Sequence, residues 1–399
     1  MRYSCMLVLL ILAAPLSAQT RPGKAPDASK LPESAQPIYF SAAHATDWLK
    51  LTNRADGRFV HGFNPALRLI VNDGDNFLSQ AGATMALARA SRYFRDERGT
   101  AIARQAALSL LQLDTVLEED KTTRVPASPS AAVNRLAANG VLLCAIHEIA
   151  TPGKDLLDQG DQLGNYLRKQ QRPDGSLAVA PGAIVLVSGS EDGDTVHAGW
   201  ALRGIIRSQH QRPAEWKLDL IRKARGHYHN VWHAKKNIAI VCTHTPAYAE
   251  AYRLTKDAAY ADTVFAMNDW LVAQQYREEF DGGRKHWTGG FPRQAGAKDP
   301  AAPDVWSAIP GQSLADACRV AKLAGDLPRL QRYEKALLQN CYFLMSLQYG
   351  PEKASHYVEG FRPKILGAFH ASHQDGNLKI DYTQHALCAM VQYLDAVVE

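Results

Sequence analysis

Hydrophobic side chains recur at helical spacing through almost the whole chain after about residue 40. In residues 77–94, Leu78, Ala81, Met85 and Ala88 fall on one broad face, because positions three or four apart share one side of a helix. Asn76 precedes this segment, where its side chain can accept a hydrogen bond from the first turn. The pattern predicts about twelve helices, at residues 40–51, 77–94, 98–113, 131–149, 154–170, 195–209, 214–232, 245–254, 257–275, 311–323, 327–348 and 381–398. A short strand pair is predicted at residues 178–187.

A short motif recurs at the ends of predicted helices. Trp48 stands eight residues before Asp56-Gly57, and Tyr166 stands eight residues before Asp174-Gly175. Weaker copies occur at residues 270–275, followed late by Asp281-Gly282, and at residues 343–348, which lack the Asp-Gly. Recurrent helix ends of this kind are typical of arrays of helical hairpins. The Asp-Gly turns are therefore expected to follow helices of one ring or one array.

Small residues line one side of several predicted helices, as at Ala81-Gly82-Ala83 and Ala198-Gly199, which indicates helices packed on two sides. Residues 170–176 resemble the repeat core of prenyltransferase and squalene-cyclase proteins. The segments around Asp75 and Asp381 resemble those of secreted bacterial toroids of the six-hairpin glycosidase-like and terpenoid-cyclase-like groups. The resemblance implies an all-α fold, a single (α/α)6 toroid of about twelve helices in hairpins. Irregular loops favour this closed ring over an open solenoid.

The N-terminus has the pattern of an export signal. Arg2 supplies the positive charge, residues 6–14 form an apolar run, and Leu16-Ser17-Ala18 forms a cleavage site. The apolar run is too short to cross a bilayer, which takes about 20 residues. Residues 19–37 have almost no bulky apolar side chain, which predicts a disordered tether. The expected organisation is a signal peptide at 1–18, a tether at 19–37 and a toroid at 38–399, located in the periplasm or secreted, without stable membrane insertion.

The charge pattern argues against a nucleic-acid partner. The 45 Lys and Arg are interspersed with 40 Asp and Glu, for a net charge of +5, so no basic stripe is visible. Cys5 lies in the predicted signal, and the other five cysteines contain no CxxC pair. We expect those five to be small buried hydrophobes with at most one or two disulfides. They are Cys144, Cys242, Cys318, Cys341 and Cys388.

Two acidic turns precede predicted helices. Asp75 belongs to residues 72–76, and Asp194 belongs to residues 190–195, where three carboxylates stand within four residues. Either turn could simply cap a helix, because Asp and Asn accept hydrogen bonds from free N–H groups and interact favourably with the helix dipole. Alternatively, a carboxylate among like charges has a raised pKa, which suits a general acid. A calcium loop is a further possibility for residues 190–195, although the EF-hand spacing is absent.

A histidine group raises the question of a metal site. His229 and His233 are four residues apart, a spacing suited to zinc, but no HExxH pattern is present. His227 and His229 would point about 200° apart on a helix. These residues and His244 are therefore not expected to converge, and no metal or other cofactor is predicted.

A third polar group opens the last predicted helix. Asp381, Tyr382, Gln384 and His385 lie in its first two turns, which packing alone does not explain. Upstream, Arg362 offers a guanidinium for a carboxylate or for sugar hydroxyls, and Trp287 in a Gly-rich segment could stack on a sugar ring. We expect Asp75, Asp194, Asp381 and His385 to be catalytic. We expect Trp287, Arg362, Gln384 and Tyr382 to bind substrate.

These features favour an exported, monomeric carbohydrate-active enzyme that acts on a glycan or another small polar ligand in a central cavity. Hydrolysis would need two carboxylates about 5–10 Å apart, which only ring closure could bring together. A polysaccharide lyase would use a His or Tyr base, His385 or Tyr382, with Arg362 neutralising a uronate. The alternatives are a non-catalytic toroid that binds glycans or peptides and a terpene-cyclase-like enzyme. The chain has no GxSxG, P-loop or GxGxxG motif, which disfavours serine hydrolysis and nucleotide chemistry.

Overall fold

Several of the long helices begin at a polar side chain that caps free backbone N–H groups. Asn76 accepts from Ser79 N, Asn134 from Ala137 N and Asn237 from Ala239 N. The computed structural model describes residues 25–127, 133–178, 193–278, 284–297 and 300–398. Across those ranges it contains twelve helices of at least 14 residues: α1 (Gln36–Thr52), α2 (Phe77–Phe94), α3 (Glu97–Leu113), α4 (Arg135–Glu148), α5 (Lys154–Lys169), α6 (Gly193–Ser208), α7 (Glu215–Ala234), α8 (Ile238–Thr255), α9 (Ala258–Val272), α10 (Ala308–Ala324), α11 (Leu327–Ser346) and α12 (Ile380–Tyr393).

The even-numbered helices form a closed inner ring. Each of α2, α4, α6, α8, α10 and α12 packs on the next, and α12 packs back on α2. The odd-numbered helices cover this ring from outside, so six hairpins form an (α/α)6 toroid and the predicted fold is confirmed. The predicted close approach of inner helices is also found. A Cβ atom on Gly199 of α6 would lie 2.6 Å from Cβ of Thr243 in α8, closer than side chains can pack.

Short strands cover the end of the ring where α2 and α12 begin. Strands β1 (Gly62–Asn64), β2 (Leu69–Val71), β5 (His370–Ser372) and β6 (Asp375–Lys379) form an antiparallel sheet in the order β2-β1-β6-β5, and β3 (Thr115–Leu117) pairs with β4 (Arg124–Pro126). Strand β6 runs directly into α12. Ile380 N–H donates to the carbonyl of His61, 2.8 Å away, which holds the residue before β1 against the start of α12.

The recurrent sequence motif joins neighbouring outer helices. Gln171, two residues after α5, donates from Nε2 to the carbonyl of Leu220 in α7, 2.9 Å away. Gly175 has a φ of +88°, and a Cβ atom there would lie 2.3 Å from the carbonyl oxygen of Lys223. The other copies place Gly57 against α3, Gly289 against α11 and Gly367 against α1. The motif therefore marks the points where one hairpin packs on the next. In the two weaker copies, Gly289 and Gly367 occupy the place that the glycine of the Asp-Gly turn occupies in the other two.

Substituting Gly175→Ala should destabilise the protein by about 2–4 kcal/mol, because a positive φ and a backbone clash both oppose a Cβ atom there. Gly226→Ala in α7 is the matched control. It has no atom within 4 Å of the added Cβ, so alanine should leave stability unchanged or raise it by up to about 1 kcal/mol. Chemical denaturation measures both variants. Equal stabilities for the two would show that the close approach at Gly175 is not a constraint.

Three local predictions need correction or comment. Helix α8 begins at Ile238, seven residues before the predicted start, because Asn237 caps it and the helix continues through Pro246. The predicted tether is partly ordered, since Tyr39 Oη donates to the carbonyl of Pro26 and Tyr342 Oη donates to that of Ser34. The first 24 residues, the predicted strand pair from residue 179 onward and Asp281-Gly282 lie outside the described residues.

The five cysteines that follow the predicted signal are buried and unpaired. Within the described ranges, no helix is long and apolar enough to cross a membrane.

Candidate active site

The beginnings of all six inner helices surround one cavity. Its volume is about 380 Å³, which lies in the range of small-molecule sites. Its polar lining consists of Asn76, Ser79, His197, Thr243, Arg293, Asp304, Ser307, Asp381, Gln384 and His385, and its aromatic lining consists of Trp200, Phe291 and Trp306. Helix N-termini carry partial positive charge and free N–H groups. The cavity therefore combines apolar ring faces with polar groups that can bind hydroxyls.

Asp381 is the acidic group whose environment is most unusual in this cavity. It stands in the first turn of α12, immediately after β6, and its Oδ2 accepts from Ser79 Oγ on α2 at 3.0 Å. Burial raises the pKa of Asp381, and the Ser79 hydrogen bond and nearby His61 offset only part of that rise. A carboxyl group that keeps its proton more readily than usual can serve as a general acid.

His61 and Asp75 lie beside Asp381. Asp75 Oδ1 accepts from Gln80 Nε2 at 2.8 Å and lies 3.8 Å from Nδ1 of His61. His61 is 1% exposed, and burial lowers its pKa, although Asp381 and Asp75 both oppose the shift. Asp75 does not line the cavity itself, but its charge also raises the pKa of Asp381. Asp381 therefore lies on the cavity wall, with the charges of His61 and Asp75 directly behind it.

His385 lies between two tryptophans on the cavity wall. Its ring centroid is 5.4 Å from that of Trp306 and 6.3 Å from that of Trp200. Gln312 Nε2 lies 3.2 Å from Nδ1 of His385 and 3.3 Å from its carbonyl oxygen. Because a carbonyl oxygen only accepts, this end of the amide is the NH2 group, and Nδ1 accepts. Burial and the charge of Arg203 lower the pKa of His385 to about 3, so the ring is neutral, with its proton on Nε2.

His197 is a second neutral histidine in the cavity. Asn134 Oδ1 caps α4, so its Nδ2 faces His197 Nδ1 at 2.7 Å and must donate. Burial lowers the pKa of His197, which keeps the ring neutral with its proton on Nε2. Nε2 of His197 can therefore donate a hydrogen bond to a ligand, whereas Nε2 of His385 already lies 3.4 Å from the side-chain amide of Gln384 and the Nδ1 atoms of both rings are occupied.

Asp304 and Arg293 complete the polar wall. Asp304 Oδ1 accepts from Trp306 N at 3.0 Å, and Oδ2 accepts from Nε of Arg293 at 2.8 Å. These two hydrogen bonds hold Trp306 and Arg293 in place on the cavity wall. Sequence reasoning missed both residues, together with His197, Trp200 and Trp306. His197 and Trp200 could have been found, because they lie in the first turns of a predicted helix.

The residues predicted from the sequence fall into two groups. Asp381, Gln384 and His385 line the cavity, Asp75 lies just behind it, and Tyr382 contacts Trp306 edge-on, with 5.9 Å between ring centroids. Asp194, Trp287 and Arg362 are not among the residues that line it.

The surroundings of these three residues are different. Asp194 is exposed in the first turn of α6. Trp287 is buried against Tyr276, with 5.1 Å between ring centroids, and Arg362 donates to the carbonyls of Tyr357 and Ser355. Those partners occupy the side chains of Trp287 and Arg362.

The histidine group has separate partners in the structure. His229 and His233 pack edge-on with 4.4 Å between ring centroids, while His244 is buried and bonds the carbonyl of Thr195 at 2.8 Å. His227 lies 3.5 Å from Asp174. Among the described residues, no group of three His, Cys, Asp or Glu side chains could hold a metal ion.

Comparisons with known proteins add evidence on the fold. No family model matches the chain, and no curated protein matches its sequence. Among solved structures, an inactive variant of an α-1,6-mannanase from Salegentibacter sp., bound to α-1,6-mannotriose, is 12% identical; the match covers 91% of this chain and 100% of that chain with a TM-score of 0.58. Cellobiose 2-epimerase from Bacillus thermoamylovorans is 11% identical, with coverage of 90% and 98% and a TM-score of 0.63.

An unsaturated glucuronyl hydrolase specific for heparin is 13% identical, with coverage of 90% and 97% and a TM-score of 0.56. These similarities span nearly all of each protein at very low identity, so they concern architecture. The chain is a six-hairpin (α/α)6 toroid, with the fold of the glycosidase-like enzymes to which it is similar.

Proposed function

We propose that the protein is a carbohydrate-active enzyme that hydrolyses a glycosidic bond in the central cavity, with Asp381 as the general acid. The observation that carries the proposal is a carboxyl group of raised pKa on the wall of an aromatic-lined cavity. Glycoside hydrolysis requires such an acid to protonate the departing oxygen and a second carboxylate to attack the sugar or to activate the water that does, a role that we assign to Asp304 on the same cavity wall. The toroid enzymes of similar fold, which act on saccharides by their names, support the substrate class.

The remaining side chains have consistent roles. Trp200 and Trp306 offer ring faces on which a sugar can stack, and Nε2 of His197 can donate to a hydroxyl. Asp75 is placed to act through His61 and Asp381, because its charge helps to keep the proton on Asp381. It is therefore a positioning residue. A uronate-specific elimination has less support, because Arg362 is bound to backbone carbonyls and Arg293 is paired with Asp304.

Epimerisation or isomerisation of a sugar is the second candidate, because two neutral histidines line the same cavity. Proton abstraction next to a carbonyl needs a free basic nitrogen. In both histidines Nδ1 accepts from an amide, so each ring is set up as a donor rather than as a base. Hydrolysis is therefore more consistent than proton abstraction with the hydrogen bonds that the two histidines make. An isoprenoid cyclase would need a more uniformly apolar cavity than one lined by Asp381, Asp304, Gln384 and two histidines.

A product analysis in D2O tests the proposal and separates the two reactions. We expect the purified protein to release shorter saccharides from α-1,6-mannotriose, an unsaturated glucuronyl disaccharide or a related oligosaccharide, without deuterium at a sugar carbon. An epimer or isomer carrying deuterium at carbon, with no cleavage, would establish the second candidate. Saccharide binding without any product from these substrates or from cellobiose and mannose would indicate a binding protein. Export and a monomeric state stay predictions from the sequence.

A further inference from the structure

A second cavity lies at the opposite end of the ring, where the inner helices end. Its volume is about 400 Å³. It is lined by seven arginines, which are Arg89, Arg92, Arg95, Arg203, Arg207, Arg253 and Arg319. The carboxylates that line it or pair with these arginines are Glu148, Glu250, Asp316 and Asp395. Within the described residues, the cavity thus has three more arginines than carboxylates.

Most of these arginines already have partners. Arg89, Arg92 and Arg207 converge on Glu148 at 2.6, 2.6 and 3.2 Å, and Arg319 bonds Asp316 at 2.7 Å. Cations at helix C-termini also interact favourably with the helix dipoles. Helix capping and ion pairing therefore explain these guanidinium groups without any ligand.

Arg203 differs from them. It is only 6% exposed, yet among the described residues its guanidinium contacts no carboxylate and makes no hydrogen bond. Its contact is the ring of Trp200, 5.5 Å from the guanidinium carbon to the ring centroid. A buried charge without a counter-charge is costly, and buried charges in proteins are normally paired. The group lines a cavity large enough for an anion, with exposed Arg92, Arg95 and Arg253 around it.

We propose that this cavity binds a phosphate group, either free or carried by a small molecule, with Arg203 as its innermost ligand. A guanidinium donates in a planar fork that matches two oxygens of an oxyanion. The bound dianion would supply the counter-charge that Arg203 lacks and would offset most of the positive excess. Exposed arginines around the buried one create a potential that draws anions inward. This site shares no lining residue with the saccharide cavity, and the proposal does not depend on the proposed hydrolase activity.

Calorimetric titration and thermal unfolding of the full chain test the proposal. Inorganic phosphate should bind with a saturable isotherm and raise Tm more than sodium chloride at the same ionic strength. Arg203→Gln should weaken binding about tenfold or more, because a hydrogen bond to a buried charge is lost. Arg172→Gln is the charge-matched control, since Arg172 is exposed in the turn after α5, at the other end of the ring. It should bind phosphate like the wild type.

Titration with a sugar phosphate shows whether the site binds free phosphate or a phosphorylated small molecule. Tighter binding than inorganic phosphate would indicate a phosphorylated small molecule, and weaker binding would indicate the free ion. Equal effects of phosphate and chloride, or wild-type binding by Arg203→Gln, would overturn the proposal. If Arg203→Gln does not fold, Arg253→Gln replaces a half-exposed cation of the same cavity, and unchanged phosphate affinity there would overturn it as well. Asp381→Asn should leave phosphate binding unaltered, which separates this test from that of the hydrolase.

Discussion

Asp381→Asn should lower kcat for glycoside hydrolysis by about 10²–10⁴-fold while changing KM only a few-fold. Asparagine keeps the size and the contact with Ser79 Oγ, but it has no proton to give to the departing oxygen. Because burial raises the pKa of Asp381, the wild type should lose activity as the pH rises through that raised pKa. The variant should lack this alkaline limb. Steady-state kinetics across pH on an oligosaccharide substrate measure all three quantities.

Two further aspartate substitutions serve as comparisons for the kinetics of Asp381→Asn. Asp47→Asn is the control, since Asp47 is an exposed residue of α1 paired with Lys50, and it should leave kcat unchanged. Asp194→Asn tests the sequence-based hypothesis that Asp194 is catalytic. A kcat loss would support it, whereas a stability loss of about 1 kcal/mol with normal kcat would make Asp194 a residue that stabilises the helix terminus. Full activity in Asp381→Asn would contradict the proposed acid.

Glu148→Gln should destabilise the protein by about 3–5 kcal/mol at neutral pH. Glu148 is 1% exposed and accepts from three arginines of α2 and α6, so the substitution leaves three buried or half-buried cations without a counter-charge. The effect arises mainly from those uncompensated charges rather than from the net contribution of the ion pairs. Equilibrium unfolding in urea at several pH values measures it.

The pH dependence of this effect has a definite sign. Three arginines hold the pKa of Glu148 well below its ordinary value in the folded state. The ionised form therefore stabilises the fold above the unfolded pKa of about 4.3, and this contribution falls as the pH decreases toward the folded pKa. The difference in unfolding free energy between the wild type and Glu148→Gln should therefore decrease in acid.

Glu334→Gln is the control for this substitution. Burial raises the pKa of Glu334, so removing its charge should lower the stability little or not at all. A Glu148→Gln variant within about 1 kcal/mol of the wild type would show that the arginines find other partners.

The sequence alone was sufficient for most of the helices and for their arrangement in hairpins. The apolar periodicity from 77 to 94 predicted α2 with both of its ends, because Asn76 caps the first turn and an apolar face repeats at helical spacing. The repeated Asp-Gly turns predicted that α1 and α5 belong to one layer, and the backbone contacts at Gly57 and Gly175 give the reason. The helix predicted at 245–254 began too late. A proline normally stands in the first turn of a helix, whereas packing in the inner ring allows α8 to continue through Pro246.

The candidate site was only partly accessible from the sequence. Asp381, Gln384 and His385 were identified because polar residues open an otherwise apolar helix. Trp306, Asp304 and Arg293 could not be found in this way, since their segment precedes α10 and has no helical periodicity of its own. The partners that set the proton positions of His197 and His385 are Asn134 and Gln312, which are 63 and 73 residues away in the sequence. Local patterns contain no information about such pairs.

The sequence by itself determined that this protein is a ring of helical hairpins and that polar residues stand where its helices begin. Only the tertiary structure decided which of those residues face one cavity and which groups keep or lose their protons. The physical reason is that periodicity and capping are local, whereas pKa depends on burial and on charges that ring closure brings together. Asp381 beside His61 and Arg203 without a carboxylate both result from that closure.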